Sequence, residues 1–384
     1  MKDQVPGLRK FVAPEFVIGP GARLLAGRYA KNFHARHVLV VTGPEVNRAG
    51  WVGSVTRTLD EAEISHTLFT GVTPNPRDTE VMAGAALYEK ERCDAIVAIG
   101  GGSPIDCAKG IAIVATNNKH VLEFEGVDNV PIPPPPLICI PTTAGTGADV
   151  SQFAIINDTK RRVKIAIISK MIVPDIALVD PEPLTTLTPE LTAHTGMDAI
   201  THSVEAYVSN ASSPVTDIQA LESIRLMKGH LHAAYKNPGS IPERYQTMIG
   251  SLLAGLAFSN ASLGAVHAMA HSLGGYSDLP HGECNALLLE HVAEFNYEAC
   301  PERYDTISVL LQDSDGAKKG KTALVHTLRT LRESLGVTDR LSDLGVKKAD
   351  LPALAKKAIR DPCLATNPRK MTTGDIEAIY AKAF

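Results

Sequence analysis

The first half of the chain alternates short apolar runs with longer stretches in which apolar residues recur every three or four positions. The apolar runs are 16–18, 37–42, 66–69, 94–99 and 137–140, and helical patterns cover 24–33, 52–62, 79–92 and 105–115. Runs such as HVLVVT and DAIVAI are apolar at consecutive positions, which is typical of strands covered on both faces. This rhythm predicts a parallel sheet sandwiched between helices.

The strand-like pattern largely disappears from Thr185 onward. Thr188 and Pro189 are typical of a helix N-cap and first helical position. Helical patterns then recur at 195–208, 213–234, 242–258, around the histidines described next, and at 286–296, 321–334 and 373–383. We therefore predict an α/β domain over residues 1–184 and an all-helical domain over residues 185–384, with the reaction site in the cleft between them.

Three histidines, His267, His271 and His281, lie close together in the segment 261–285. The first two are four residues apart in a helical pattern, so their rings project from one face, about 5–6 Å apart at Cβ. We expect Gly274 and Gly275 to break this helix, and the turn that follows to carry His281 back toward the other two rings.

A second pair with helical spacing, Asp198 and His202, lies upstream. Imidazole and carboxylate groups together favour a divalent first-row metal ion. We predict Asp198, His202, His267 and His281 as its ligands, and His271, one turn beyond a ligand, as a proton carrier. A lone histidine on an apolar helix is more often a core residue, so the prediction depends on the joint occurrence of these groups.

Two glycine-rich turns follow predicted strands. The strand 94–99 runs into GGGSP at 100–104 and then into a helix, and the strand 137–140 runs into PTTAGTG at 141–147. Glycines let a backbone approach phosphate closely, and a helix N-terminus favours an anion. The first turn does not match GxGxxG, yet two such turns at strand ends predict a dinucleotide site. In the following helix, Asp106 and Lys109 are expected to be a helix-start charge and a surface charge.

The composition narrows the class of protein. A chain of 384 residues is long enough for two domains. Its formal charge of −4 gives no electrostatic indication that it binds nucleic acid or an anionic membrane. The N-terminus lacks a signal-peptide core, and no apolar run reaches the roughly 18 residues of a spanning helix, so we expect a cytoplasmic protein. The six cysteines form no CxxC pair, and Cys284 is expected to be a small apolar filler.

A series of motifs along nearly the whole chain resembles the iron-containing, or group III, alcohol dehydrogenases. In order they are PNP at 74–76, GGGSPIDCAK at 100–109, PTTAGTG at 141–147, VPDIALVDPE at 173–182, GMDAITHSVEAY at 196–207, HAMAHSLGG at 267–275, PHG at 280–282 and NPR at 367–369. Within the family the chain looks most similar to the iron-activated fermentative ethanol dehydrogenases.

The resemblance implies a Rossmann-like N-terminal domain, an all-helical C-terminal domain, and Fe²⁺ held by the four predicted ligands, with Zn²⁺ as an alternative. It implies an NAD(P) site formed by Asn75, Gly101, Gly102, Ser103, Pro104, Thr142, Thr143, Thr146 and Lys164. It also implies that Phe258 lines the substrate pocket, that the substrate is a small alcohol or aldehyde, and that the chain forms homodimers or larger homo-oligomers.

Two positions depart from the family pattern. After the strand 37–42 the family often has Asp, whose carboxylate binds the adenosine ribose and repels a 2′-phosphate, whereas this chain has Gly43. NAD remains the favoured cofactor, with NADP possible. The glycine turn usually continues with Ser-Glu, where this chain has Ala148 and Asp149; the sequence alone assigns this change no effect.

The resulting hypothesis is reversible hydride transfer between a short-chain primary alcohol or diol and NAD(P) at a metal centre. Three alternatives remain open at this point. One is a glycerol-type polyol dehydrogenase that uses zinc, another is a lyase resembling dehydroquinate synthase, and the third is a metallohydrolase in which the glycine loops are plain turns.

Overall fold

The computed structural model describes residues 8–312 and 316–384. Its strands are β1 Glu15–Ile18, β2 His37–Thr42, β3 Ser65–Phe69, β4 Ala95–Gly100, β5 Gly126–Val127, β6 Leu137–Pro141, β7 Phe153–Asp158, β8 Val163–Ile168 and β9 Ile176–Val179. Six of them form a sheet of order β1-β9-β6-β4-β2-β3, in which every pairing is parallel. The other three form a small sheet of order β5-β8-β7.

Helices connect β1 to β2, β2 to β3, β3 to β4 and β4 to β5, and they make up most of the second half. They are α1 Ala26–Asn32, α2 Pro44–Arg48, α3 Trp51–Glu61, α4 Asp78–Lys90, α5 Gly102–Asn117, α6 Pro189–Val208, α7 Pro214–Lys236, α8 Ile241–Ala261, α9 Ala265–Ser277, α10 His281–Asn296, α11 Pro301–Leu311, α12 Lys321–Ser334, α13 Leu351–Ala358 and α14 Thr373–Lys382.

The larger sheet has the predicted sandwich form. The central strand β4 is buried at every position. Alternate residues of β2 and β4 enter two different cores: Leu39 and Ile96 pack with α4 and α5, whereas Val38 and Val97 pack with α1 and α3. Burial on both faces explains why these strands are continuous apolar runs. The α/β fold with a helical C-terminal region is thus confirmed.

The helical half begins where the sequence places a helix start. The Thr188 side chain accepts a hydrogen bond from the backbone N–H of Leu191, and Pro189 is the first residue of α6. The last strand ends at Val179, and the helices from α6 onward share one large apolar core. The domain boundary near Thr185 stays a prediction.

The prediction that Gly274 and Gly275 break the histidine helix is wrong. Helix α9 continues through both glycines and ends at Ser277, where Asp278 takes a left-handed conformation with φ of 56°. A Cβ on Gly275 would lie 2.6 Å from the backbone N of Lys164, and one on Gly274 would lie 2.7 Å from Cε of Lys164. The glycines therefore let α9 pack directly on β8, and they do not interrupt the helix.

Among the described residues, no single helix has both the length and the apolar composition to cross a bilayer. The helices α8 and α9 meet both conditions only when taken together, and the chain bends by 100° between them.

Candidate metal and nucleotide site

Three helices bring the predicted ligands together. Asp198 and His202 lie on α6, His267 lies on α9, and His281 is the first residue of α10. The close approach of α10 depends on Gly282, because a Cβ there would lie 2.4 Å from the carbonyl oxygen of His194 on α6. The turn after α9 does carry His281 back to the other rings, as predicted.

The donor atoms surround the Asp198 carboxylate. Its Oδ1 lies 3.9 Å from Nε2 of His202, 3.7 Å from Nε2 of His267 and 3.8 Å from Nε2 of His281. Ligating atoms of Asp198, His267 and His281 all lie within 4.8 Å of one another. Ligands about 2.0–2.2 Å from a shared ion are separated by roughly 3–4 Å, so the spacing of Asp198, His267 and His281 suits one divalent cation. His202 as its fourth ligand stays a prediction.

Hydrogen bonds orient two of the three imidazoles. The Nδ1 atom of His267 lies 2.6 Å from Oε2 of Glu205, and Nδ1 of His202 lies 3.2 Å from the carbonyl oxygen of Gly145. If each Nδ1–H donates to its oxygen partner, the Nε2 lone pair faces Asp198, as a metal ligand requires. Within residues 8–312 and 316–384, Nδ1 of His281 has no partner.

Glu205 is the main support of this arrangement. Its carboxylate is buried, and besides His267 it accepts the backbone N–H groups of Gly264 and Val266 at the start of α9. It therefore fixes both the helix that carries His267 and the orientation of that ring. Gly264 makes room for it, since a Cβ there would lie 2.8 Å from Oε1 of Glu205.

We expect Glu205→Gln to weaken metal affinity by about 10–100-fold, because an amide has one acceptor oxygen where the carboxylate has two. Chelator competition measures the dissociation constant. Glu283→Gln, at another buried glutamate on α10, is the matched control and should leave it unchanged. Equal affinity in wild type and Glu205→Gln would show that Glu205 supports only the helix.

The electrostatics of the cluster follow from burial and proximity. Burial alone would raise the pKa of Asp198, but the neighbouring imidazoles of His202 and His281 hold it well below its usual range. Burial lowers the pKa of His202 to about 3. For His267, burial is outweighed by Asp198 and Glu205, which raise its pKa to about 9. An ionised carboxylate at the centre of three imidazoles suits a cation.

His271 lies beside the cluster but is held by a different acid. Its Nδ1 is 2.9 Å from Oδ2 of Asp361, and its ring stacks on that of His281 with centroids 5.3 Å apart. His271 also lines the cavity that the ligands face. With Nδ1–H directed at Asp361, Nε2 is left to exchange a proton, which suits the predicted proton carrier.

The two glycine turns contact each other at the carboxyl ends of β4 and β6. A Cβ on Gly101 would lie 3.2 Å from the Thr143 side chain, and one on Gly102 would lie 2.8 Å from that of Thr146. Helix α5 begins at Gly102, directly after β4. The turns therefore place an open helix N-terminus beside threonine side chains, an arrangement suited to a phosphate group.

One cavity connects the turns with the ligand cluster. It is lined by Asn75, Pro76, Gly102, Ser103, Asp106, Thr146, Ala148, Ser151, Phe153, Ile155, Lys164, Asp198, His202, Phe258, Leu263, His267, His271 and His281. Phe258 stacks on His202 with ring centroids 4.3 Å apart and meets Phe153 edge to face. The cavity thus has a polar end at the glycine turns, the cluster of predicted ligands and an apolar wall.

The structure places the remaining predicted site residues in two groups. Asn75, Gly102, Ser103, Thr146, Lys164 and Phe258 line the cavity. Gly101, Pro104, Thr142 and Thr143 lie in the turns beside it and do not line it. Asn75 has a positive φ of 57°, and its side-chain amide donates a hydrogen bond to Oδ1 of Asp278 at 2.8 Å.

Three further assignments concern buried groups. The interpretation of Lys109 as a surface charge is wrong: it is fully buried, and its ammonium donates to the carbonyl oxygens of Ser151 and Phe153. Cys284 is a buried filler, and burial raises the pKa of its thiol to about 12. Asp106 lies beyond the first turn of α5 and lines the cavity, so it is not a helix-start charge.

The fold and this site define a class of two-part oxidoreductases with a nucleotide-binding sheet and a metal-binding helical bundle. Residues 13–181 match the family model described as iron-containing alcohol dehydrogenase, and residues 192–384 match its C-terminal counterpart. The chain belongs to the iron-containing alcohol dehydrogenase family. Its activity class is that of a metal-dependent alcohol dehydrogenase or aldehyde reductase.

Relatives support the assignment over nearly the full length. The chain is 41% identical to a 1,3-propanediol dehydrogenase of Citrobacter freundii, covering 95% of this chain and 96% of that protein. It is 37% identical to an NAD-dependent methanol dehydrogenase of Bacillus methanolicus, covering 97% and 99%. A crystal structure of a 1,3-propanediol oxidoreductase superimposes with a TM-score of 0.95 at 38% identity, covering 98% of this chain and 100% of that one.

Sequence reasoning missed the groups that support the site. Glu205, Asn285 and Asp361 each contact a predicted site residue. Asn285 donates from its amide to Oδ1 of Asp198 at 2.6 Å, and it lies four residues after His281 on the same helix. That spacing was a usable signal for Asn285, whereas Asp361 lies 90 residues from His271 and only the fold brings the two together.

Proposed function

We propose that this chain interconverts a short-chain primary alcohol or diol and its aldehyde with NAD(P), at a divalent ion, preferably Fe²⁺, held by Asp198, His202, His267 and His281. The observation that carries the proposal is the convergence of these four side chains in the cavity that the glycine turns also reach. When bound, the ion would act as a Lewis acid on the alcohol oxygen, and the nicotinamide would accept the hydride.

The donor set fits such an ion. One carboxylate oxygen and three imidazole nitrogens form the cluster, and Glu205 and Gly145 orient two of the rings through hydrogen bonds. Zn²⁺ accepts the same ligand types, so the chemistry of the ligands alone favours neither metal over the other. Iron is preferred because of the family to which the chain belongs.

The remaining residues of the cavity have separable tasks. Phe153, Ile155, Phe258 and Leu263 form an apolar wall suited to the carbon chain of a small alcohol and to excluding water. Asp361 orients His271, which takes the proton released by the alcohol and passes it toward solvent. The first turn of α5 and the threonines of the second glycine turn bind the cofactor phosphates.

The choice between NAD and NADP depends on Gly43. It precedes the first residue of α2 with extended backbone, and a Cβ there would lie 3.2 Å from the carbonyl oxygen of Val72. An aspartate can adopt this backbone and is a favoured N-cap. We propose NAD as the main cofactor, with NADP accepted because no carboxylate stands here to repel its 2′-phosphate.

We expect Gly43→Asp to lower kcat/KM for NADPH at least on the order of tenfold relative to NADH, through charge repulsion of the 2′-phosphate. Steady-state kinetics with both cofactors measure the ratio. Gly43→Asn, which adds the same bulk without charge, should leave the ratio near that of wild type. Equal losses with both cofactors in Gly43→Asp would mean that the position does not face the ribose.

Anaerobic purification with metal analysis, followed by NADH and NADPH assays on short alcohols, diols and their aldehydes, tests the proposed function. We expect about one divalent ion per chain and net NADH formation from a primary alcohol. Zinc with a preference for glycerol would favour the polyol dehydrogenase alternative. Failure to form either NADH or NADPH from any of these alcohols, together with failure to reduce their aldehydes, would contradict the proposal. The cytoplasmic location and homo-oligomeric assembly stay predictions.

A further inference from the structure

His281 is held differently from the other predicted imidazole ligands. The Nδ1 atoms of His202 and His267 each lie beside an oxygen acceptor, whereas Nδ1 of His281 is buried and has no hydrogen-bond partner among the described residues. The His281 side chain is also 25% exposed, against 4% for His202 and 1% for His267. Because no bond at Nδ1 orients this ring, its position depends on the backbone turn that carries it.

The turn before His281 is attached to the α/β part of the chain. Asp278 ends α9, and two residues separate it from His281. Its Oδ1 accepts a hydrogen bond from the side-chain amide of Asn75 at 2.8 Å, and its Oδ2 forms an ion pair with Nη2 of Arg77 at 3.1 Å. Both partners lie in the turn before α4. Asp278 therefore connects the start of α10 with the sheet-bearing half.

The connection continues to the first glycine turn. The backbone N–H of Asn75 donates to Oγ of Ser103 at 3.2 Å, in the first turn of α5. Both residues line the cavity, whereas the Asp278 side chain is 53% exposed and lies at the protein surface. A continuous series of contacts thus runs from the proposed phosphate site, through Asn75 and Asp278, to the turn that positions His281.

We propose that Asp278 couples binding of the metal ion to binding of the cofactor. A nucleotide that orders the glycine turn fixes Asn75, and through Asp278 it fixes the turn that carries His281. Because a coupling free energy is reciprocal, an ion bound by His281 favours nucleotide binding to the same extent. The inference rests on the proposed function, since it places both ligands in this cavity. Asp278 is then a positioning residue, which acts through Asn75 and His281.

A direct contact between the ion and the nicotinamide would couple the two sites without Asp278. ADP-ribose removes that contact, because it keeps the adenosine and the pyrophosphate of the cofactor and lacks the nicotinamide ring. Any remaining contact of this probe with the ion would persist when Asp278 is replaced. Coupling through Asp278 would be lost in the same variant, so the two origins can be distinguished.

The test compares the Kd of Zn²⁺, which accepts the same ligand types, with and without saturating ADP-ribose. Chelator competition measures both values, and a titration without protein corrects for Zn²⁺ bound by the pyrophosphate itself. In wild type we expect ADP-ribose to lower the Kd on the order of fivefold, since half-exposed contacts give weak coupling. In Asp278→Gly the two Kd values should be equal.

Glycine at position 278 removes the carboxylate without straining the turn. Asp278 has a left-handed backbone with φ of 56° at the end of α9, where glycine is the preferred residue. Asp278→Asn also tolerates this backbone and removes only the charge that pairs with Arg77. It should show a smaller Kd ratio than wild type, which keeps the coupling testable if Asp278→Gly fails to fold.

Asp128→Gly is the matched control. Asp128 also has a left-handed backbone, with φ of 55°, and is exposed, but it follows β5 and does not line the cavity. This variant should keep the wild-type ratio of Kd values. Loss of the ratio here would overturn the assignment, because a change in any exposed turn would then explain it.

Equal Kd values with and without ADP-ribose in wild type would overturn the coupling. The same ratio in wild type and Asp278→Gly would also overturn it and would assign the coupling to a direct contact. Neither result would affect the proposed function, which the alcohol and aldehyde assays test. Wild-type protein that neither oxidises an alcohol nor reduces an aldehyde would contradict the proposed function instead, while the ratio of Kd values would still report on Asp278.

Discussion

Replacing His281 with alanine is expected to abolish metal binding and turnover together. His281 is the first residue of α10, its Nε2 lies 3.8 Å from Oδ1 of Asp198, and its side chain is 25% exposed, so its loss costs little core packing. Removing a ligand removes the Lewis acid, which contributes several kcal/mol to the transition state. Turnover should fall by at least about 10³-fold, and elemental analysis should find the ion missing.

His291→Ala is the control for this experiment. His291 lies on the same helix, ten residues further along, where it contacts Glu290 and does not line the cavity. It should retain full metal content and near wild-type turnover. Full metal content in His281→Ala would instead remove His281 from the ligand set.

Replacing His271 with alanine should give the second largest effect, and of a different kind. Its Nδ1 bonds to Asp361 and it is not assigned as a ligand, so the metal should remain while proton transfer slows. We expect kcat to fall about 10²-fold, as is typical for loss of a general acid or base. Its kcat–pH profile should differ from that of wild type, because the group that exchanges the proton is absent.

Asp361→Asn distinguishes the effect of orienting the His271 ring from the effect of removing that ring. It keeps the His271 imidazole but weakens the bond that fixes its tautomer, so kcat should fall less than in His271→Ala while metal content stays full. Metal content and the kcat–pH profile measured for both variants check this ordering. An unchanged pH profile in His271→Ala would dismiss His271 as the proton carrier.

The sequence predicted best those helices and strands whose residue pattern is set by burial and local geometry, without long-range contacts. The strand 37–42 and the helix 321–334 were predicted with the bounds that the structure has. A buried parallel strand leaves a continuous apolar run, and an amphipathic helix leaves apolar residues every three or four positions. The strands β7 and β8 were missed. They form an antiparallel hairpin of their own outside the main sheet, and Lys164 within β8 breaks the apolar run.

In the candidate site too, locally determined features could be predicted and features that depend on long-range contacts could not. Pairs at helical spacing, such as Asp198 with His202, could be recognised because both members project from one face. The long-range groups could not, since nothing near Glu205 or Asp361 in sequence marks them as partners of His267 and His271. Gly274 and Gly275 were misinterpreted for a related reason, because the close approach of β8 that requires them is a tertiary contact.

Anomalous diffraction from crystals of the metal-loaded protein, recorded on both sides of the iron and zinc absorption edges, tests the central claim most directly. We expect a single strong peak per chain, bounded by Asp198, His202, His267 and His281 and facing the cavity that also reaches Ser103. A peak elsewhere, or a fully loaded protein without an ion between these four side chains, would contradict the assignment.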